Sequence, residues 1–333
     1  MVARLLRFLA LGAATLPLGA TLAFADDGPP RFLSAAGRLR PPETIERVVS
    51  VAPRSALVTV RGYGATPEER AYWDPLWAAM PDLDHRDFGT DFGRYDTRGS
   101  VAANGDALRR EIQRFVREDD VASVSIVSVS MGGVVTDAAF GSGLSARDNV
   151  TAWTTLASPL NGSTTARVVR GADRVAAVLG VRKELAGLLA PLGADAADTA
   201  MQDLAEHRAF SPPRGVPLSQ FWALTDELVL DADAHVGGAR YVRTLTPTLL
   251  TNFVPAHGGQ LNDPRVREMV VAAARGERPR ELLVERVVAA VLAPVADAYH
   301  LVALLGLAAI FLSAAVLVAR LRAPCERLAR WRG

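Results

Sequence analysis

The chain has 333 residues, half of them hydrophobic, enough to bury one large core or two modest ones. With 37 Lys+Arg against 36 Asp+Glu, the formal net charge of +1 gives no electrostatic ground for a nucleic-acid partner. The single cysteine, Cys325, excludes an internal disulfide and any cysteine-ligated zinc site.

Residues 1–25 read as an export signal. Arg4 and Arg7 form a positive start, Phe8 to Leu22 is uncharged and apolar, and Ala23-Phe24-Ala25 is a cleavage triplet. An uncleaved anchor helix is the alternative; Pro17 and the triplet favour cleavage. Residues 26–44, with Pro29-Pro30 and Pro41-Pro42, form an irregular lead-in. Ile45 to Val51 reads as a first strand. Ala56 to Val60 is a stronger one, and it runs into Arg61-Gly62-Tyr63-Gly64. Glu68 to Trp77 has helical character. Phe88 to Gly99 ends in the turn Tyr95-Asp96-Thr97-Arg98-Gly99. Asp106 to Glu118 places Leu108, Ile112, Phe115 and Val116 on one face of a helix.

Next comes Val121 to Val129, short, β-branched and apolar, which suits a buried strand of a parallel sheet. It leads into Ser128-Val129-Ser130-Met131-Gly132 and then a small-residue apolar helix. Val150 to Leu156 is another strand, followed by Ser158-Pro159-Leu160-Asn161-Gly162-Ser163. Residues 164–213 are rich in Ala and Leu at helical spacing, with breaks near Gly180, Pro191 and Gly193. Pro217 to Leu224 reads as a strand ending at Thr225-Asp226-Glu227-Leu228-Val229. Finally, Phe253 to Gly259 carries His257, and Asp263-Pro264 starts a helix with Val266, Met269, Val270 and Ala273 on one face. Strands alternating with helices in this way predict an α/β fold, a mostly parallel sheet with helices on both sides.

The last part of the chain is apolar. A juxtamembrane helix is expected over 278–298 and a transmembrane helix over 299–320, since Leu301 to Ala319 has no charged residue and reaches about 28 Å. Arg320, Arg322, Arg327, Arg330 and Arg332 follow, so residues 321–333 are expected to be a cytoplasmic basic tail, with the preceding domain on the exported, periplasmic or extracellular, face. A buried core helix is the other reading; five turns without a polar face speak against it.

The segment from strand to serine turn to helix resembles the nucleophile elbow of the α/β-hydrolases, with Ser128 where that pattern has glycine. Arg61-Gly62-Tyr63-Gly64 resembles the His-Gly-x-Gly oxyanion loop of lipases, with arginine for histidine. Ser158 to Ser163 resembles their Thr-Pro-His-x-Gly-Ser/Thr turn, with leucine for histidine, and Asp226 with Val229 fits their Asp-x-x-Val. The resemblance, to lipase/esterase-like serine hydrolases, covers about residues 45–277 as an α/β-hydrolase domain. It implies a helical cap over 164–213, for which helices that merely cover the sheet are the alternative.

It also implies a catalytic triad of Ser130, Asp226 and His257, in the family's chain order. The backbone amides of Tyr63 and Met131 are the implied oxyanion hole. Asp231 and Asp233 are rival acids, each with a plain reading as a solvated loop carboxylate. Among the other histidines, His85 and His207 are expected exposed, His235 comes too soon after the acid strand, and His300 belongs at the membrane interface. No cofactor and no metal is implied; no metal-ligand spacing or phosphate loop is present. The implied activity is cleavage of carboxylic esters, with a lipid or acyl ester as substrate and the membrane as partner. An acyltransferase using the same triad and a silent scaffold binding a membrane partner are the alternatives.

Overall fold

The structure, a computed structural model, describes residues 54–190, 195–207, 210, 213, 215–245 and 256–331. The export signal, the lead-in, the strand at Ile45 to Val51 and residues Phe253 to Pro255 lie outside the described residues.

Among the described residues, six parallel strands form one sheet: β1 (Arg54–Val60), β2 (Asp84–Asp87), β3 (Val121–Val129), β4 (Val150–Leu156), β5 (Leu218–Ala223) and β6 (Arg240–Thr244), in the order β2-β1-β3-β4-β5-β6. The central strands are buried on both faces, and this is why they are nearly continuous apolar runs. Side chains alternate between two cores. Ala56, Val58, Val60, Val124 and Ile126 point to one, while Leu57, Val127 and Val129 point to the other.

The first face is covered by α2 (Val101–Glu118) and α3 (Met131–Gly141), through Leu108, Ile112, Val134 and Val135. The second is covered by α1 (Asp74–Ala78) and by α9 (Pro264–Ala274), through Leu76, Val266, Met269, Val270 and Ala273. Between these lie α4 (Thr164–Val178), α5 (Arg182–Leu189), α6 (Thr199–Glu206), the short α7 (Asp231–Ala234) and α8 (Ala256–Gly259). Among the described residues of 164–213 there are three helices, α4, α5 and α6. Asp263 caps α9, its carboxylate accepting from the Arg265 amide at 2.9 Å.

Several boundaries differ from the sequence reading, each for a local reason. Helix α2 begins a turn earlier, at Val101, because Ser100 caps it with its side chain. The segment expected to be helical from Glu68 opens instead as a 3-10 turn, Pro67–Trp73, before α1. Strand β2 falls at Asp84–Asp87, ahead of Phe88. Its Asp-His-Arg-Asp sequence has no apolar alternation to reveal it: its first three residues are half-buried, and Asp87 is buried as an ion-pair partner of Arg61. The helices expected at 278–298 and 299–320 run as one, α10 (Leu283–Trp331), and Pro294 does not interrupt it. Its stretch Leu283–Leu321 is long and apolar enough to cross a membrane.

Candidate active site

Ser130 stands between β3 and α3 with φ 54° and ψ −130°, a conformation costly for a residue with a Cβ. The turn is held from both sides. The Ser130 amide donates to Leu156 O at 2.9 Å, and the Gly133 amide donates to Ser130 O at 3.0 Å. Gly132 is required by packing, since a Cβ there would lie 2.3 Å from Val60 O and 2.6 Å from Arg61 O. Gly132→Ala is therefore expected to lower stability by about 2 kcal/mol or more, because backbone carbonyls cannot move aside as a side chain can. A thermal melt superposing on the parent's would contradict this.

The serine at 128 has a physical reason. It is fully buried, and its Oγ accepts from the Trp153 indole N–H at 3.0 Å. The position has room for a hydroxyl and uses it to pair a buried tryptophan.

Loop 61–64 lies on the elbow: a Cβ at Gly62 would be 2.8 Å from Ser130 Cβ and 3.3 Å from its Oγ. Arg61 is buried and ion-paired to the fully buried Asp87 at 3.2 Å, while its carbonyl accepts from Tyr95 Oη at 2.7 Å. Tyr63 is tied down through its side chain as well. Its hydroxyl donates to Asp198 and accepts from the Asp195 amide at 3.1 Å. Burial first, then the Asp198 carboxylate, pushes this phenol up to about 12, so it stays protonated as a donor. The loop that carries one oxyanion-hole candidate is thereby fastened to the segment leading into α6. Met131, the other candidate, is the first residue of α3, where helix amides lack intrahelical acceptors.

Asp226 follows β5 and is fully buried. Its Oδ1 accepts from the amides of Leu228 at 3.0 Å and Val229 at 2.8 Å. His257 Nδ1 faces both of its oxygens, at 3.1 and 3.2 Å. Burial on its own would lower the His257 pKa. The Asp226 charge and hydrogen bond, with Glu227 adding to them, more than offset this and raise it.

Asp231 and Asp233, the rival acids, are not solvated. Asp231 holds Arg243 through two bonds of 2.7 and 2.8 Å and accepts from Tyr241 Oη. Asp233 accepts from the Thr164 amide at 2.7 Å and its hydroxyl at 2.8 Å. Both serve to fix loops. His85 and His207 are half-buried rather than exposed. His85 stacks on Trp77, and His207 faces Asp137 at 3.5 Å, a carboxyl that burial pushes up to about 7. His235 packs on the Tyr241 ring.

The candidates thus gather in two groups on one rim. Val129, Leu156 and Phe221 lie side by side in register across β3, β4 and β5. Ser130 immediately follows Val129, and Asp226 follows β5. Two strand spacings, about 10 Å, separate those strands. Open α/β sheets place their sites at this carboxyl rim.

Glu227 was not foreseen, although its adjacency to Asp226 was in plain view. Its carboxylate accepts from the His257 amide at 3.2 Å, and burial raises its pKa. Replacing it by glutamine keeps an acceptor but removes a charge that favours the imidazolium. Glu227→Gln is expected to move the acid limb of any His257-dependent rate to lower pH, with the plateau changed less than about tenfold. A limb that moves upward would contradict this.

The parallel sheet, the strained serine turn and the layers of helices together are the α/β-hydrolase fold. The chain matches no protein-family model and no curated protein. Among solved structures it is similar to a mature lipase from Bacillus licheniformis, 15% identical at a TM-score of 0.42, over 57% of this chain and 83% of that one. It is similar to lipase B of Aspergillus fumigatus, 17% identical at a TM-score of 0.47, over 79% of this chain and 62%, less than two thirds, of that one. A Pseudomonas aeruginosa hydrolase is 15% identical at a TM-score of 0.42, over 68% of this chain and 91% of that one.

Proposed function

We propose that the chain is a membrane-associated serine hydrolase that cleaves carboxylic esters, with acyl esters of lipids as the substrate class. The observation that carries this reading is the buried Asp226 gripping His257 Nδ1, on the rim where the strained Ser130 turn stands. Binding at Nδ1 leaves Nε2 as the nitrogen that can take a proton, the requirement for a general base.

In this reading Ser130 Oγ attacks the ester carbonyl carbon and its proton passes to His257 Nε2. The carbonyl π electrons move onto oxygen, and the amides of Tyr63 and Met131 donate to that oxyanion, each worth about 3 kcal/mol. As the tetrahedral centre collapses, the C–O bond to the leaving alcohol breaks and the alkoxide takes the proton from His257. Water, deprotonated by the same imidazole, then attacks the acyl-serine, and Ser130 leaves with the proton returned to it. Asp226 stays ionised throughout and steadies the imidazolium.

Association with a bilayer is supported by the apolar stretch of α10 and the arginines after it. In this reading 1–25 is an export signal, 164–213 caps the acyl pocket, the domain faces the exported side, and the tail is cytoplasmic. The test is a series of p-nitrophenyl esters of increasing acyl length. An acyl-serine intermediate predicts a burst of nitrophenol equal to the enzyme, followed by slower turnover. A silent scaffold would release none above the buffer rate.

A further inference from the structure

One face of the helical insertion is occupied by the chain's own apolar segment. Ala172 and Ala176 of α4, Val181, and Leu185 and Leu189 of α5 are each at most 8% exposed, and they cluster with Phe311 and Ala315 of α10. Ala308, Leu312 and Val316 pack against the same cluster. Nearer its start, α10 is held by different parts of the domain. Ala293 is buried with Trp222, Val229 and Ala234, and the Asp297 carboxylate accepts from the amides of Asp231 and Ala232 at the start of α7.

These two attachments cannot both persist when the segment crosses a bilayer. From Ala293 to Ala315 is about 33 Å of helix, as long as the hydrocarbon layer is thick. Lipid around residues 301–319 would put α4 and α5 near its middle. Those helices carry Asp173, Arg174, Arg182, Lys183 and Glu184, with Arg182 paired to Asp173 at 2.7 Å. Charged side chains at that depth are expelled or must find water. The domain's contact at Ala293 and Asp297 lies before the uncharged run and has no such conflict.

We propose that the face formed by Ala172, Ala176, Val181, Leu185 and Leu189 is a docking site for segment 308–319 of this chain, and that the bilayer competes for the same segment. Off the membrane the segment lies in this seat. When it enters lipid the seat is vacated, and the outer half of the insertion loses its apolar partner. The inner half keeps its own supports: Ser163 caps α4, Thr164 and Arg167 bind Asp233, and Arg170 binds Glu206 at 2.6 Å. What is released is therefore the outer end of the insertion, and membrane entry is coupled to uncovering Ala176, Val181 and Leu185 there. This rests on the membrane reading of α10 but not on the ester chemistry.

The test uses the full chain with Cys325→Ser, reconstituted in sealed vesicles of phosphatidylethanolamine and phosphatidylglycerol. Single cysteines report separately. Ile310→Cys, labelled with a fluorophore, tests lipid contact through quenching by nitroxide lipids. Leu185→Cys and Val181→Cys test the seat through their reaction with an impermeant maleimide, against Glu118→Cys as an exposed reference. Only variants with parent-like melting are scored. The expected result is quenching at 310, with 185 and 181 both labelled within about tenfold of the 118 rate. Quenching at 310 with 185 and 181 slowed by about 100-fold or more means that the seat stays filled in the membrane, and overturns the proposal. Absence of quenching at 310 overturns the membrane reading itself, and the proposal with it.

Discussion

Ser130→Ala is expected to reduce turnover of any ester the protein cleaves by roughly 10⁵- to 10⁶-fold, close to the level left by binding alone. The size follows from the division of labour. A hydroxyl at neutral pH is a poor nucleophile, and the histidine and aspartate matter only through the oxygen they activate. Removing that oxygen leaves the other two with nothing to act on. The change should leave the fold intact, because alanine meets the same backbone conformation and deletes no hydrogen bond that the Ser130 amide or carbonyl makes. Covalent labelling by a fluorophosphonate probe should vanish in step with turnover. A variant that keeps a tenth of the parent's rate, or still takes the label, would remove Ser130 from the chemistry.

The second large effect is expected at the acid. Asn at position 226 can still accept from Leu228 and Val229 through its carbonyl oxygen, so the loop need not collapse. Its NH₂, however, would meet His257 Nδ1, which must then accept, and the ring proton moves to Nε2. The base nitrogen is lost by tautomer alone, at a cost of about 10⁴-fold in kcat. The pH profile carries a separate sign. Catalysis needs the neutral imidazole, and His257 is raised above the ordinary histidine value because Asp226 outweighs burial. Activity in the parent should therefore fall as pH drops through that raised value. In Asp226→Asn the remaining burial favours the neutral ring, so the limb should move to lower pH. A full rate with an unmoved limb would show that Asp226 merely fastens its loop.

The contrast between Ser128 and Glu227 shows how far local chemistry can be read from a chain. Ser128 departs from the glycine of the elbow pattern, and only the packed structure reveals the Trp153 indole beside it. Glu227 follows the proposed acid directly, yet its use depends on a histidine amide thirty residues away. Asp231 and Asp233 teach the same lesson in reverse. As letters they are acids in a loop, and as neighbours of Arg243 and Thr164 they are already committed. Strand β2 escaped for another reason: its charged residues are half-buried or, like Asp87, buried by ion pairing, so no apolar alternation marks it.

Hydrophobic patterning and turn chemistry act over a few residues, and these the sequence determined alone. The buried strands before Arg61, Ser130 and Ala157, the capped helix α9, and the long apolar stretch of α10 were all legible because burial selects residues at a fixed local period. Pairings across the chain were left to the tertiary structure. Which acid the imidazole holds, why an arginine is tolerated beside the elbow, and that the apolar segment rests on the helical insertion are contacts between residues far apart in sequence. Such contacts obey distance and complementary charge rather than period, so they exist only once the sheet has brought the elements together.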